Sequence, residues 1–275
     1  MKKANASKLL LLAVVLGFFA SCSEDETVEA ANDPTTAPVL PPVNTFLIDT
    51  AAFSAGAASN GRLQQGEYTN SGHAYFSYVG WQTALTLYLA QPAVAFRNAF
   101  DQEARYNAEE DRWEWIYDVD VWGSTFQIDL YGEKVESNAQ WEMYISQAGG
   151  YQDVLWFSGT SALDGSGGRW DVNTDPENPR EALQIEWKKT DGKIPYVKYT
   201  SVDEQSDVYQ NYIEYGTLTE GNFNVFYNIY SSDEDNLLKI EYNTETQQGR
   251  ASDAKRFGSA DWQCWNSDFQ NVDCE

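Results

Sequence analysis

Histidine is almost absent from this chain, in which His73 is the one histidine among 275 residues. A Ser-His-Asp triad would depend on it, and the nucleophile pattern G-x-S-x-G also fails, because the segment GTSAL, residues 159–163, ends in leucine. The same count excludes a zinc site built from several histidines. The stretch DGSGGRW, residues 164–170, has neither the G-x-G-x-x-G spacing nor the lysine of a phosphate-binding loop. We therefore interpret His73 as a loop or surface residue and DGSGGRW as a hairpin turn.

Basic residues are also scarce, since 18 Lys and Arg stand against 42 Asp and Glu, a formal net charge of -24. Proteins that bind a phosphate backbone cluster their lysines and arginines, whereas the longest basic runs after residue 22 are Lys188-Lys189 and Lys255-Arg256. Nucleic acid is therefore excluded as a partner. Cationic ligands and divalent ions stay compatible with this charge, and the simplest interpretation is a heavily solvated acidic surface that keeps the protein soluble.

The first 21 residues have the organisation of a secretory signal. Lys2, Lys3 and Lys8 precede an apolar run at residues 9–20, and small residues follow directly before Cys22. The run is shorter than the roughly 20 apolar residues that a membrane-spanning helix needs. We therefore expect residues 1–21 to be a signal peptide.

Cys22 ends a motif that resembles the lipobox of bacterial lipoproteins, Phe19-Ala20-Ser21-Cys22, although the family usually has leucine where Phe19 stands. The resemblance implies that the Cys22 sulfur carries a diacylglycerol and that the new N-terminus is acylated. Two or more acyl chains are needed for stable anchoring, because one chain binds membranes only marginally. An ordinary secreted protein with an unmodified cysteine is the alternative.

The acidic stretch that follows, Ser23-Glu24-Asp25-Glu26, is similar to the export signal of Bacteroidota surface lipoproteins. The segment QWEMYISQAGGYQDVLWFSGTSALDGSGGRWDV is also similar to lipoproteins of that group whose function is uncharacterised. These resemblances imply an outer-membrane protein that is lipid-anchored and exposed at the cell surface, with a periplasmic location left open. They imply no activity.

Residues 22–44 are rich in Glu, Asp, Thr, Ala and Pro, and a composition of this kind cannot bury a core. We expect an acidic, Pro-rich tether over 22–44 and a single domain over 45–275. If Cys22 carries lipid, two of the three cysteines are left, and we expect Cys264 and Cys274 to form a disulfide. A metal site is a weaker alternative, because His73 is distant in sequence and no C-x-x-C exists.

Two helices are predicted near residues 79–103. Apolar residues recur there at intervals of three and four, and Pro92 is suited to the first position of a second helix, where its missing N–H is not needed. The first of these segments could also be a strand. The recurring residues are Ala84, Leu85, Tyr88, Leu89, Ala93, Phe96 and Phe100.

From Arg112 onward the apolar period falls to two residues, and turn signals such as YGEKVESN and KTDGK separate the alternating segments. About nine strands result, and short connections favour sequential antiparallel pairing. We therefore predict a mainly β fold, an antiparallel meander that forms a curved sheet, a half-barrel or a lipocalin-like barrel and packs on the two helices.

Tryptophan supplies the binding candidates. Trp113, Trp115, Trp141 and Trp187 share the face that carries Val, Ile and Met, which predicts core packing or, if that face is incompletely filled, the lining of an apolar pocket. Tryptophans near turns or the C-terminus are candidates for an exposed platform that stacks sugar rings. These are Trp156, Trp170, Trp262 and Trp265.

Asp171, Asn173, Asp175 and Glu177 alternate in the stretch DVNTDPENPRE, as oxygen ligands of calcium do. The match to an EF-hand loop fails at Pro176 and at residue 182, so a solvated turn is the simpler interpretation. No other cofactor is expected.

The first hypothesis for function is a non-catalytic, lipid-anchored outer-membrane protein that binds a small apolar ligand. The second is a surface glycan-binding lipoprotein that uses exposed Trp and Tyr side chains. A glycoside hydrolase that uses two carboxylates is a third and weaker hypothesis.

Overall fold

The computed structural model describes residues 36–46, 69–121, 123–174 and 176–274. Its main feature is one open sheet of 14 antiparallel strands, in which every strand pairs with its neighbours in sequence. The strands are β1 (Arg105–Asn107), β2 (Arg112–Val121), β3 (Ser124–Val135), β4 (Asn138–Gln147), β5 (Val154–Ala162), β6 (Gly167–Asn173), β7 (Glu181–Thr190), β8 (Lys193–Ser201), β9 (Tyr212–Thr217), β10 (Val225–Ser231), β11 (Asn236–Tyr242), β12 (Gly249–Ser252), β13 (Gln263–Trp265) and β14 (Asn271–Val272).

The predicted mainly β, antiparallel meander is confirmed, although it has more strands than the nine or so expected. The sheet does not close, so the barrel alternative is wrong. Tight turns fix the register of its hairpins. Between β7 and β8, Asp191 and Gly192 have φ of 50° and 75° and connect the paired residues Thr190 and Lys193. Such Asp-Gly turns match the twist of a hairpin.

One long helix covers one face of the sheet, where two helices were predicted. The helix α1 (Asn70–Asn98) continues through Pro92, and a short 3-10 turn, Ala99–Asp101, follows it. A proline inside a helix removes one backbone hydrogen bond. Burial of Leu89, Ala93 and Phe96 on both sides of Pro92 offsets this loss, so tertiary packing overrides the local break.

The segment before α1 also belongs to the packed domain. A 3-10 turn, Val43–Phe46, inserts Phe46 between the rings of Phe96, Phe157 and Trp170, at centroid distances of 5.2 to 5.4 Å. Thr45 is buried, and its hydroxyl accepts a hydrogen bond of 3.0 Å from the Trp170 indole N–H. Residues 37–43 pack along the sheet as well, so part of the expected 22–44 tether lies against the domain, which begins before residue 45.

The N-terminus of α1 is held by the C-terminal end of the chain. The Asn70 side-chain amide donates to the Cys264 carbonyl (3.1 Å), and the Ser71 hydroxyl donates to the Phe269 carbonyl (3.0 Å). The predicted Cys264–Cys274 disulfide is formed in this segment.

His73 adds a further contact to this end of the helix. It lies in the first turn of α1, not in a loop, and its Nε2 is 2.7 Å from Asp253 Oδ2. Asp253 is buried, and its other oxygen accepts from the Asn236 amide and from two backbone N–H groups at the start of the short helix α2 (Ala254–Phe257).

Glycines on the covered face make room for large rings on the next strand. Gly132 pairs with Trp141, Gly159 with Trp170, and Gly168 with Trp187; each indole lies against the glycine opposite. A Cβ at Gly132 would meet Trp141 at 2.8 Å, and a Cβ at Gly159 would overlap both the Trp170 ring and the Arg169 carbonyl oxygen. Glycine is therefore needed at these three positions, because the indole on the neighbouring strand already fills the space that a Cβ would occupy.

We expect the substitution Gly159→Ala to lower the free energy of unfolding by about 1–3 kcal/mol, because the methyl group has to displace backbone as well as the buried indole. Urea denaturation measures the change. Gly80→Ala is the control, since a Cβ at Gly80 on α1 has nothing within 4 Å and alanine favours a helix. Equal stability of the two variants would contradict this account of the glycines.

The pKa of Asp253 gives a prediction for acid stability. Burial by itself raises this pKa, but hydrogen bonds from the Arg256 N–H, Asn236 and His73 outweigh burial and lower it. A carboxyl with a lowered pKa stabilises the fold above its unfolded value of about 3.9, and this contribution is lost as the pH falls through the folded value.

We therefore expect Asp253→Asn to reduce the free energy of unfolding at neutral pH by about 1–2 kcal/mol, the cost of weakening buried hydrogen bonds. The loss of stability as the pH falls below the unfolded carboxyl pKa of about 3.9 should also be smaller than in the wild type. Denaturation at a series of pH values tests both effects. Asp207→Asn, in the exposed loop before β9, is the control, and an unchanged acid transition in the Asp253 variant would refute the prediction.

Candidate functional site

The tryptophans of the covered face are core residues. Trp115, Trp141 and Trp187 are 1 to 3% exposed, and Trp113 is partly buried against the ring of Tyr106. The indole N–H of Trp141 donates to the Ser161 hydroxyl at 2.9 Å. The side chains of Trp115, Trp141 and Trp187 are therefore occupied by contacts within the protein and are buried from solvent.

Most of the tryptophans proposed for an exposed platform are buried as well. Trp156 and Trp170 lie in β5 and β6 at 6% and 1% exposure, and Trp265 lies in β13 at 2%. In the sequence these tryptophans lie near turns or the C-terminus, but in the structure all three are strand residues with buried rings. Trp262 is partly exposed, and the Arg250 guanidinium lies 4.3 Å from its ring.

A polar groove lies on the opposite, solvent-facing side of the sheet and crosses β2 to β6. Its volume is about 430 Å³, within the range of small-ligand sites. The register explains its length, because one row of paired residues runs across five strands, a distance of about 19 Å. That row is Glu114, Tyr131, Glu142, Ser158 and Asp171. A second row beside it is Glu133, Gln140, Thr160 and Arg169.

Tyr131 is the aromatic centre of the groove. The Arg112 guanidinium covers its ring at 3.7 Å and also donates to Glu114 at 3.2 Å, and the Tyr144 ring is 5.8 Å away. Partial burial raises the pKa of Tyr131, Asp129 raises it further and Arg112 opposes the rise. The phenol therefore stays protonated at neutral pH and can donate a hydrogen bond.

The rest of the groove offers hydroxyl, amide and carboxylate groups. Asp171 accepts hydrogen bonds from Arg169 at 2.8 Å and from the Gln184 amide at 3.2 Å, and Glu142 accepts from the Tyr144 hydroxyl at 3.1 Å. Glu181 lies next to Asp171, and burial followed by the charge of Asp171 raises its pKa. The groove thus combines one flat ring with fixed acceptors on neighbouring strands.

Two of the calcium candidates have protein partners. Besides its contacts with Arg169 and Gln184, Asp171 lies beside Asn173, whose amide donates to the Leu155 carbonyl at 2.8 Å. Asp175 lies outside the described residues. Within the described ranges, no three His, Cys, Asp or Glu side chains are grouped so that they could hold a metal ion.

The expected lipid attachment site, Cys22, also lies outside the described residues. Among the helices that the structure describes, none is long and apolar enough to cross a bilayer.

Sequence reasoning missed the groove, and in particular Arg112 and Tyr131. Alternation places Tyr131 on the polar face of its strand, but the groove depends on which residues of five strands stand side by side. The two-residue turn between the paired residues Val135 and Asn138 sets Tyr131 opposite Glu142. This register, which follows from the length of the turn, is the signal in the sequence that could have located the groove.

Comparisons of the chain with protein-family models, with curated proteins and with solved structures find no match in any of the three.

Proposed function

We propose that this protein is a non-catalytic, lipid-anchored cell-surface module that binds a glycan in the groove on the solvent face of β2 to β6. The observation that carries the glycan assignment is the Tyr131 ring, backed by Arg112 and flanked by fixed hydrogen-bonding groups on adjacent strands. A sugar presents a flat apolar face to an aromatic ring and hydroxyl groups to polar side chains. An elongated polar groove suits a chain of such units.

A small apolar ligand has less support. Trp115, Trp141 and Trp187, which would line its pocket, are buried in the core that α1 and residues 37–46 complete, so the ligand would have to displace part of that core.

Charge narrows the class of glycan. Glu110, Glu133, Glu142 and Asp171 line the groove, against Arg112 in the lining and Arg169, which is paired with Asp171. Carboxylates accept hydrogen bonds from sugar hydroxyls and repel acidic polysaccharides. The favoured ligand is therefore a neutral or amino-sugar glycan.

Tyr131→Ala should weaken glycan binding about tenfold or more, because stacking and the burial of the ring together contribute more than 1 kcal/mol. The probes are soluble β-glucan, xylan, mannan and chitosan, with polygalacturonate as the acidic comparison, in affinity gel electrophoresis followed by titration. Tyr212→Ala is the matched control, since Tyr212 lies on the same face in β9 and stacks on Tyr230 at 5.3 Å.

Failure of every neutral and amino-sugar probe to bind, or equal weakening by both tyrosine variants, would contradict the glycan site. New reducing ends that disappear in Glu142→Gln would instead identify a hydrolase.

The lipid anchor rests on the sequence Phe19-Ala20-Ser21-Cys22. We expect Cys22→Ala to abolish incorporation of a labelled fatty acid and to release the protein from the membrane fraction, because the acyl chains supply the anchoring energy. Labelling of the variant, or a wild-type protein without label, would argue against lipidation. Cys264→Ala is the control. Because Cys264 belongs to the disulfide, this substitution should leave labelling unchanged.

A further inference from the structure

The N-terminal edge of the sheet leaves part of β2 without a neighbour. The short strand β1 pairs with Arg112–Glu114, whereas β2 continues to Val121. In the described part of the chain, residues 115–121 pair with β3 on one side, and no backbone group pairs with them on the other. A strand edge of this kind presents unpaired N–H and C=O groups.

A cavity of about 370 Å³ lies where the chain before β1 separates from β2. Ile116 forms part of its wall and is 57% exposed. The remaining wall is polar and formed by Asp101, Gln102, Glu103, Arg105 and Glu114. The cavity therefore joins one exposed apolar side chain to several carboxylates at the open strand edge.

The charge around this edge is strongly acidic. Residues 101–121 contain 8 Asp and Glu and 2 Arg. Arg112 pairs with Glu114, whereas no described lysine or arginine forms an ion pair with Asp101, Glu103 or Asp118. A cationic partner would meet carboxylates that the fold itself has not neutralised.

We propose that this edge binds an extended lysine- or arginine-containing segment of a partner protein, which adds a strand beside residues 115–121 of β2. The backbone of the segment pairs with the free edge, as in other strand-addition complexes. Its basic side chains lie beside Asp118 and Asp120 on the solvent face. One long basic side chain enters the cavity, with its apolar stem on Ile116 and its charge near Asp101 and Glu103. This interaction does not depend on the proposed glycan groove.

The opposing explanation is that the acidic side chains only prevent unwanted strand pairing, as charges on edge strands do in other proteins. The two explanations differ in what happens when an extended basic peptide is supplied. Strand addition predicts saturable binding that requires peptide backbone donors, whereas protection of the edge predicts no backbone pairing.

The probe is the capped peptide Lys-Val-Lys-Val-Lys-Val-Lys, titrated against the full chain, with amide hydrogen exchange followed in parallel. We expect saturable binding and slower exchange at residues 115–121. The same peptide with all its backbone amides N-methylated should not bind, because it cannot donate to the edge. A Glu-Val peptide of equal length should not bind either.

The charge-reversal variant Asp118→Lys/Asp120→Lys should weaken binding of the Lys-Val peptide about tenfold or more. The matched control is Glu220→Lys, which removes an exposed carboxylate in the loop between β9 and β10. If the double variant unfolds, Asp118→Asn/Asp120→Asn replaces it, with a severalfold loss expected.

Unchanged exchange at residues 115–121, or equal binding of the N-methylated peptide, would overturn the proposal. An equal loss of affinity in the Glu220→Lys control would overturn it as well, because the attraction would then belong to the overall charge and not to this edge.

Discussion

Coverage of one face of an open sheet is the constraint on which the rest of this structure depends. A sheet that is apolar on one side has to bury that side against another layer, and here α1 and residues 37–46 supply the layer. Phe46 and Phe96 meet Phe157 and Trp170 where the two covering segments join the strands. Because this cluster is tightly packed, the many aromatic residues of the chain contribute mainly to the stability of the fold.

The division of the two faces also separates stability from recognition. The covered face contains the tryptophan and glycine pairs, whereas the solvent face carries Tyr131, Arg112 and the acceptors of the groove. Side chains on the solvent face can change without opening the core. The sheet edge at β2 is a third surface, and its chemistry differs from that of the groove because the strand offers backbone groups as well as carboxylates.

The sequence predicted the class of fold well, because a period of two residues is a property of each strand taken alone. It therefore placed Trp115 and Trp141 correctly on the apolar face. The prediction from the sequence failed where local structure or burial depends on residues that are far apart in the chain. Pro92 lies inside a helix because both flanking turns are buried, and Trp170 is core because Gly159 leaves space on the next strand. The groove was not predicted for the same reason, because its residues lie on five different strands.

The hydrogen bonds at the start of α1 have a consequence for the order in which the domain is completed. Strand pairing is local throughout, so the meander can grow one hairpin at a time, as contacts of low sequence separation allow. The contact between Asn70 and Asn271, however, joins positions 201 residues apart. The helix α1 therefore forms its last hydrogen bonds to the sheet only when the C-terminal residues are in place. A chain shortened at its C-terminus would assemble most of its sheet but would lack the hydrogen bonds that hold the start of the helix on it.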